Sequence, residues 1–373
     1  MLYKCKDFEK YKPTTNRAAD IVIEMMNKNL ITAVDITRLN YAFTRSGCKS
    51  ITLPAWNTKK VTRMDYMFAY LPITSADISK LDFSSVENAR NMFYLTNIVN
   101  IDFSHVVMPK IGNLTEIAGD LKTLRTADMS GITGEKLYSI NYIFNNCPNL
   151  LSVNFDNLVG GSNMEAIQSF SNCTSLESLS FPKLIDALNL RKAFYHCSSL
   201  TSFSAPLFVG NSVQEMSFCF DGCTNLASVS LPNFEGKNVK TANSAFSNGV
   251  KLNELRLPKF TGENIEEMDS FASGEIQSLD LPALKATPKK ASNAFTNKYN
   301  GSLSGAMRKV WLPKTFKMHE NAAEENKPFN ASGTDGSIHI YTDAVSAEAQ
   351  NWGTISGLFT MHYNATHEDF ENA

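Results

Sequence analysis

The chain has 373 residues, of which 43% are hydrophobic and 19% are charged, as in ordinary folded globular proteins. Its formal net charge is −2, with basic and acidic residues mixed along the chain. A nucleic-acid surface needs a basic patch or stripe, so we expect no nucleic-acid partner. No stretch approaches the ~18 consecutive apolar residues of a membrane span, and the polar start lacks the apolar core of a secretory signal.

The first element in the chain is a predicted helix over residues 17–29. Ile21, Val22, Met25 and Met26 share one face of it, as in a helix that covers the end of a larger core. We therefore expect residues 1–33 to form an N-terminal segment with a capping helix.

A period near 25 residues governs most of the chain. We align the repeats on one position, called the Phe slot, whose successive spacings lie between 24 and 26 residues. The slot holds Phe43, Phe68, Phe93, Ala118, Phe144, Phe170, Phe194, Phe220, Phe246, Phe271 and Phe295. A single unit of this length cannot bury its own apolar face, so the units must stack as a solenoid.

Apolar residues also recur seven and four residues before the slot, as with Val61 and Met64 before Phe68. These offsets lie on one face of a helix. The pattern predicts about two helical turns at the start of each repeat.

An apolar-x-apolar triplet, often followed by proline, ends each repeat, as in Leu255-Arg256-Leu257-Pro258. Such alternation predicts a short strand with one buried face, which the proline terminates because it has no N–H to donate. The predicted strands start at Val34, Ile51, Ala76, Ile101, Ala127, Val153, Leu179, Phe203, Val229, Leu255, Leu279, Val310 and Ile338.

The last two strands follow insertions, near residues 296–309 and 317–328, after which Phe329 restores the register. The solenoid is predicted over residues 34–341, with about 12–13 repeats. Residues 342–373 form a C-terminal cap and tail, in which residues 358–363 are a candidate capping strand. The fold class is therefore α/β, a solenoid with a parallel sheet on one face and short helices or turns on the other.

Two sequence patterns resemble known families. The segment Val61 to Phe68, followed by Ala76-Asp77-Ile78-Ser79, is similar to the 25-residue repeat of mycoplasma-type surface lipoproteins. The later Phe-x-x-Cys-x-x-Leu and Leu-x-Leu-Pro units resemble BspA-like leucine-rich repeats. The resemblance covers residues 34–341 and implies a leucine-rich-repeat solenoid.

Members of that family are mostly surface-exposed binding proteins and adhesins of bacteria, with related repeats in some protists and phages. The family has no shared catalytic residues, so the resemblance supplies none. This sequence departs from the usual surface member because it shows no export signal, lipobox or wall anchor.

Catalytic and metal-binding motifs are absent from the sequence. There is no His-Glu-x-x-His pair, phosphate loop or nucleophile elbow. Cys197, beside His196, occupies a repeat position that it shares with Cys147, Cys173 and Cys223, which favours a buried thiol. Cys219 and Cys223 are four residues apart, but no second pair completes a zinc site. We expect no catalytic residues, no metal, no cofactor and no enzymatic activity.

The middle residue of each strand triplet is predicted to face outward. In chain order, this row begins with carboxylates (Asp77, Asp102, Asp128), continues with serines and ends with larger polar and aromatic side chains. Aromatic and arginine side chains are typical of interface hot spots. The candidate ligand-binding residues are Trp311, His339, Tyr341, Arg256 and Lys309; the competing interpretation buries Trp311 beneath the adjacent insertion.

These observations favour a non-enzymatic binding or adhesion protein that presents its repeat surface to a protein or glycan ligand. We expect it on a bacterial cell surface or on a phage virion, as a receptor-binding or decoration protein. The alternative is an intracellular protein–protein interaction scaffold, because no signal peptide is seen, so a cytoplasmic location stays open. The sequence leaves homo-oligomers and larger assemblies open.

Overall fold

A computed structural model describes residues 37–45, 51, 53, 57–248, 250–296, 298–299, 302–303, 307–329 and 338–373. The predicted helix over residues 17–29 and the predicted strand at Val34 lie outside these residues. The chain forms two compact units, residues 1–181 and 182–373, and each is described by itself.

The first unit contains four short strands: β1 (Asn100–Asp102), β2 (Thr126–Asp128), β3 (Ser152–Asn154) and β4 (Ser178–Ser180). Strands β1, β2 and β3 are parallel, with Ile101, Ala127 and Val153 in register. The predicted strands here are confirmed, each starting one residue earlier than predicted. The strand predicted at Ala76 is wrong, because no strand precedes β1 in the part of the chain that the structure describes.

The second unit contains nine strands and one helix among its described residues. They are β5 (Ser202–Ser204), β6 (Ser228–Ser230), β7 (Glu254–Arg256), β8 (Ser278–Asp280), β9 (Lys298–Tyr299), β10 (Ser302–Leu303), β11 (Lys309–Trp311), β12 (Ile338–Tyr341), β13 (Phe359–His362) and α1 (His367–Glu371).

One five-stranded parallel sheet dominates this unit, in the order β13-β12-β11-β8-β7. Strand β13 lies at the edge of the sheet, so the strand predicted over residues 358–363 is confirmed. The antiparallel pair β9–β10 falls within the first predicted insertion. The second insertion contains a single 3-10 turn, Glu324–Asn326, and Phe329 after it is fully buried.

A column of turns, not of helices, carries the Phe slot. Single parallel bridges link the residues just before it in successive repeats, as in Arg63 to Asn88. Alternate N–H groups then donate to the next repeat, Tyr66 to the Arg90 carbonyl (3.0 Å) and Phe68 to the Met92 carbonyl (2.9 Å). The residues two before and two after the slot have left-handed φ, which a helix excludes.

The predicted helical turns are therefore wrong, and the alternative of turns on this face is confirmed. The apolar stripe that suggested a helix is nonetheless buried, since Val61, Met64 and Phe68 are at most 1% exposed. Spacings of three and four residues also fit this turn path, so the pattern alone cannot distinguish it from a helix.

Phenylalanine rings stack along the slot within each unit. The rings of Phe43, Phe68 and Phe93 lie 5.5 Å apart and nearly parallel. The predicted slot residue Phe271 is wrong by one position, because Phe246 N–H donates to the Phe271 carbonyl, which places Ala272 in the slot. Phe271 instead stacks on Phe260, at 5.9 Å.

The repeated cysteine closes a hydrogen bond to the previous repeat. The Sγ atom of Cys147 lies 3.1 Å from the Ala118 carbonyl, and that of Cys173 lies 3.1 Å from the Phe144 carbonyl. In the second unit Cys223 makes the same contact to the Phe194 carbonyl, at 3.0 Å. Each acceptor belongs to the slot residue, so the thiol satisfies a buried carbonyl. Burial raises the pKa of the Cys147 thiol to about 12.

We expect Phe68→Ala to lower the free energy of unfolding by about 3–5 kcal/mol, because it leaves a cavity between two stacked rings. Urea denaturation followed by circular dichroism measures the change. The matched control is Leu95→Ala, which truncates a side chain that is 44% exposed and should change stability by less than about 1 kcal/mol. Equal effects of the two variants would contradict a core built on the slot.

We expect Cys147→Val to cost about 1–3 kcal/mol, because it removes the donor and leaves the Ala118 carbonyl buried without a partner. Cys147→Ser keeps a donor and should cost less, although serine is smaller. Urea denaturation of both variants checks the order. A valine variant as stable as the wild type would show that the thiol only fills space.

Candidate functional site

The five predicted ligand-binding residues lie on two rows of the sheet in the second unit. Lys309 and His339 are register partners, and Ser278 continues their row on β8. We call this the first row. Trp311 and Tyr341 are partners on the second row, which Arg256 and Asp280 extend. The predicted strand starts, Val310 and Ile338, would pair Trp311 with His339, so the sequence register is wrong by two residues on β12.

The helix α1 covers the second row. Trp311 is only 5% exposed, and its ring lies 5.1 Å from that of His367 and 6.2 Å from that of Phe370. Phe370 also contacts Tyr341, with ring centroids 5.9 Å apart. The expectation of an exposed Trp311 is therefore wrong. The described residues that cover it belong to α1, whereas the 301–307 insertion of the competing interpretation lies partly outside the described residues.

Charged groups fix α1 on the sheet. Asp280 is fully buried and its Oδ1 lies 2.9 Å from His367 Nε2. Arg256 Nε lies 3.2 Å from Asp280 Oδ2, and its guanidinium reaches Glu371 at 3.6 Å. Arg256 is therefore part of the attachment of α1. Lys309 adds a hydrogen bond from Nζ to the Phe370 carbonyl, at 2.8 Å.

A cleft of about 380 Å³ opens beside α1, where the first row stays uncovered. Three of the predicted residues line it: Lys309, His339 and Tyr341. The other lining residues are Asn253, Gln277, Ser278, Arg308 and Ala373. The structure thus brings three predicted residues together at one opening, while Trp311 is buried beneath α1 and Arg256 pairs with Asp280 and Glu371.

Two histidines meet at the side of this cleft. His339 Nδ1 lies 2.9 Å from His362 Nε2, and the two rings are nearly parallel at 5.2 Å. Tyr341 stacks on the His362 ring at 4.3 Å. Burial, and then the charge of His339, lower the pKa of His362. Because the short N···N contact needs one acceptor nitrogen, it requires that at least one of the two rings be neutral.

The predicted line of carboxylates has a local structural role. Asp77 and Asp102 each accept hydrogen bonds from the backbone N–H and hydroxyl of the serine two residues later. These bonds lower the pKa of both carboxyls. Each carboxylate thus closes its own turn. Among the residues that the structure describes, no three His, Cys, Asp or Glu side chains gather as metal ligands would.

A second exposed cluster, which the sequence prediction did not include, lies in the first unit. Tyr41 and Tyr66 stack at 4.9 Å, and Arg90 donates to the Tyr66 hydroxyl at 3.1 Å. Arg45 lies over the ring of Tyr70, at 4.5 Å. We call these five residues the tyrosine–arginine surface. Tyr41, Tyr66, Arg45 and Tyr70 all stand two residues from a slot.

The signal for this surface was present in the sequence, but a binding surface was predicted only from the strand triplets. On a helix, positions two before and two after the slot are four residues apart and would also share one face, opposite the slot. In the turn column both positions have left-handed φ, and their side chains meet those of neighbouring repeats. Arg308 and Ser278 of the cleft were missed for another reason, because only the middle residue of each triplet was considered.

We expect the two histidines to make stability depend on pH. The pKa of His362 is lowered on folding, so the unfolded chain binds the proton more readily. Folding stability should therefore be lost as pH falls below about 6.5, the ordinary histidine value. In thermal unfolding, the midpoint of the wild type should fall about 1–2 °C further than that of His362→Gln between about pH 7 and pH 5.

The control for this comparison is His105→Gln, which removes an exposed histidine of the first unit. It should retain the wild-type pH dependence. If His362→Gln loses as much stability on acidification as the wild type, the histidine pair does not contribute to it.

Comparison with known families agrees with the repeat register. A family model described as a BspA type leucine rich repeat region matches residues 140–274 and 190–303, in six copies. A second model, described as a Mycoplasma protein of unknown function, matches residues 37–158. No curated protein matches the chain. Among the described residues, the structure has no helix of the length and apolarity needed to cross a membrane.

Several solved structures are similar at low identity. The pneumococcal vaccine antigen PcpA is 11% identical, with 83% of this chain and 78% of that chain covered and a TM-score of 0.30. A leucine rich cell surface protein from Faecalibacterium prausnitzii is 10% identical, with coverages of 77% and 85% and a TM-score of 0.27.

A third similar structure is TLR13 in complex with ssRNA13, which is 14% identical with a TM-score of 0.25. The match covers 78% of this chain and 45% of the TLR13 chain. At such TM-scores these likenesses carry no argument about function. The family models, the Phe slot and the parallel strands all agree on the same repeat: residues 140–303 form a BspA type leucine rich repeat region, and residues 37–158 match the Mycoplasma family.

Proposed function

We propose that the chain is a non-enzymatic binding protein that recognises a protein or glycan ligand through its repeat surface. The observation that carries the proposal is the cleft beside α1, where Lys309, His339 and Tyr341 line one opening. A concave site with a few convergent polar groups is the usual form of a ligand site. The tyrosine–arginine surface of the first unit has the composition of a second contact area.

Binding without catalysis is supported by the chemistry of the reactive side chains. The five described cysteines are buried, and burial raises the pKa of the Cys147 and Cys219 thiols, so neither is a ready nucleophile. His339 faces another histidine rather than a hydroxyl or a thiol that it could activate. These contacts favour recognition over a chemical step.

We place this activity on a bacterial cell surface or on a phage virion, in keeping with the family. The alternative is an intracellular scaffold, which the same cleft and surface would also serve. Mass spectrometry of native material separates the two, by comparing purified virions, cell-surface peptides and cytosol. Recovery only from cytosol would contradict the surface proposal.

The binding test uses the purified full chain on glycan and protein arrays, followed by titration of any ligand detected. Lys309→Gln should weaken binding of a cleft ligand about tenfold, because a charged hydrogen-bond donor is lost. Its thermal unfolding midpoint is measured beside the binding, because Lys309 also donates to the Phe370 carbonyl of α1. The matched control is Lys122→Gln, an exposed lysine of the first unit. Trp311→Ala is unsuitable as a contact variant, since Trp311 is buried beneath α1 and its truncation would loosen the helix.

Absence of binding on both arrays, with a folded protein, would overturn the proposed function. Binding that Lys309→Gln and Lys122→Gln weaken equally would move the site away from the cleft. In that case the tyrosine–arginine surface is tested next, with Tyr66→Ala against Leu95→Ala.

A further inference from the structure

The cleft beside α1 has a composition that narrows the class of its ligand. Arg308, just before β11, and Lys309, its first residue, bring positive charge to the cleft, while Asn253 and Gln277 bring side-chain amides. No lining side chain is acidic, and the only carboxyl group among the lining residues is the α-carboxylate of Ala373, the last residue of the sequence. A site with cations and neutral hydrogen-bonding groups, but no acidic side chain, suits a ligand that carries a negative charge.

The two cations differ in how firmly they are placed. Lys309 Nζ is held 2.8 Å from the Phe370 carbonyl and 4.8 Å from the centre of the Phe370 ring. Arg308 is exposed and makes no ion pair with any residue that the structure describes. Its planar guanidinium is therefore available for a carboxylate, which it can bind through two parallel hydrogen bonds.

A buried hydroxyl gives an independent indication of a ligand. Ser278 is 9% exposed, lines the cleft, and has an Oγ atom with no hydrogen-bond partner among the described residues. A buried hydroxyl without a partner is unfavourable relative to a satisfied one. A ligand or water in the cleft would supply the missing partner. The row that holds Ser278 is the one that α1 leaves open.

The size of the cleft limits what fills it. At about 380 Å³ it is near the lower end of the roughly 300–1,000 Å³ range of small-molecule sites. A lone inorganic anion would use only the cationic side of such a space and would leave the amides of Asn253 and Gln277 unengaged. A ring-sized ligand with several hydroxyls would engage both the amides and the tyrosine hydroxyl of Tyr341.

We propose that the cleft formed by Ser278, Arg308, Lys309, His339 and Tyr341 binds a single carboxylate-bearing sugar unit. Arg308 and Lys309 receive the carboxylate, Ser278 donates to or accepts from a ring hydroxyl, and the amides of Asn253 and Gln277 bind the remaining hydroxyls. This inference deepens the proposed function and rests on it, because it names the ligand class of the same site.

The test is saturation-transfer NMR on the full chain, with dissociation constants from titration. The probes are glucuronic acid and N-acetylneuraminic acid, with glucose and inorganic sulfate as comparison ligands. We expect at least one acidic sugar to bind and glucose to bind at least about tenfold more weakly, since it lacks the charge. Sulfate should compete only weakly, because it engages the cations alone.

Two variants separate recognition from folding. Arg308→Gln should weaken the acidic sugar about tenfold or more, while Arg191→Gln, which removes an exposed arginine outside the cleft, should leave binding unchanged. Ser278→Ala should weaken the sugar about threefold to tenfold without lowering the thermal unfolding midpoint, because it removes a hydroxyl that has no partner. If Ser278 has only a structural role, Ser278→Ala should lower the thermal unfolding midpoint and leave sugar binding unchanged.

Three outcomes would overturn the inference: glucose binding as tightly as the acidic sugars, sulfate binding as tightly as them, or Arg308→Gln binding like the wild type. None of these overturns the proposed function, which fails only if the wild type binds nothing on glycan and protein arrays. If Arg308→Gln still binds a ligand found on the arrays, the proposed binding function stands and the acidic-sugar cleft is rejected.

Discussion

Hydrogen bonds between the backbones of successive repeats are the constraint on which both units depend. In the turn column, alternate N–H groups donate to the next repeat, so neighbouring repeats must share one backbone path. That path requires left-handed φ beside the slot, at Tyr66 (φ 53) and Tyr70 (φ 61) as well as at asparagines. Such φ costs a non-glycine residue about 1–2 kcal/mol. The stacked rings of the slot offset that cost, which explains why the slot is the most regular feature of the sequence.

The sequence was enough to predict the solenoid and the parallel strands from β1 onward, but not the register of β12, which differs by two residues from the one that Phe329 predicted. It could not separate a helix from the turn path, because both bury residues spaced by three and four. For a similar reason, the sequence could not show that Ala272, and not Phe271, occupies the slot. A phenylalanine one position off still finds an apolar place, on Phe260, so residue type alone does not locate the backbone hydrogen bond.

The candidate site was partly predictable for a different reason. Lys309, His339 and Tyr341 were found because they share one sheet, and sheet neighbours follow from the repeat. The burial of Trp311 was not predictable from the repeat, since α1 lies outside it and reaches the sheet through His367 and Phe370. A five-residue helix carries little signal of its own. Its position depends on Asp280, whose buried carboxylate has meaning only when His367 is seen beside it.

The turn column and the column of strands both tolerate the gain or loss of a whole repeat better than that of a single residue. This difference has a consequence for how such chains diversify. A whole repeat can be gained or lost without disturbing its neighbours, because each repeat offers the same hydrogen-bonding edge on both sides. A single-residue change must be absorbed within one repeat, as at Ala272, or in a loop outside both columns, as in the stretch before Lys309. Gene duplication can therefore vary the number of turns before β7 while β7, β8, β11 and β12 keep the cleft unchanged, so that repeat number and ligand choice are inherited separately.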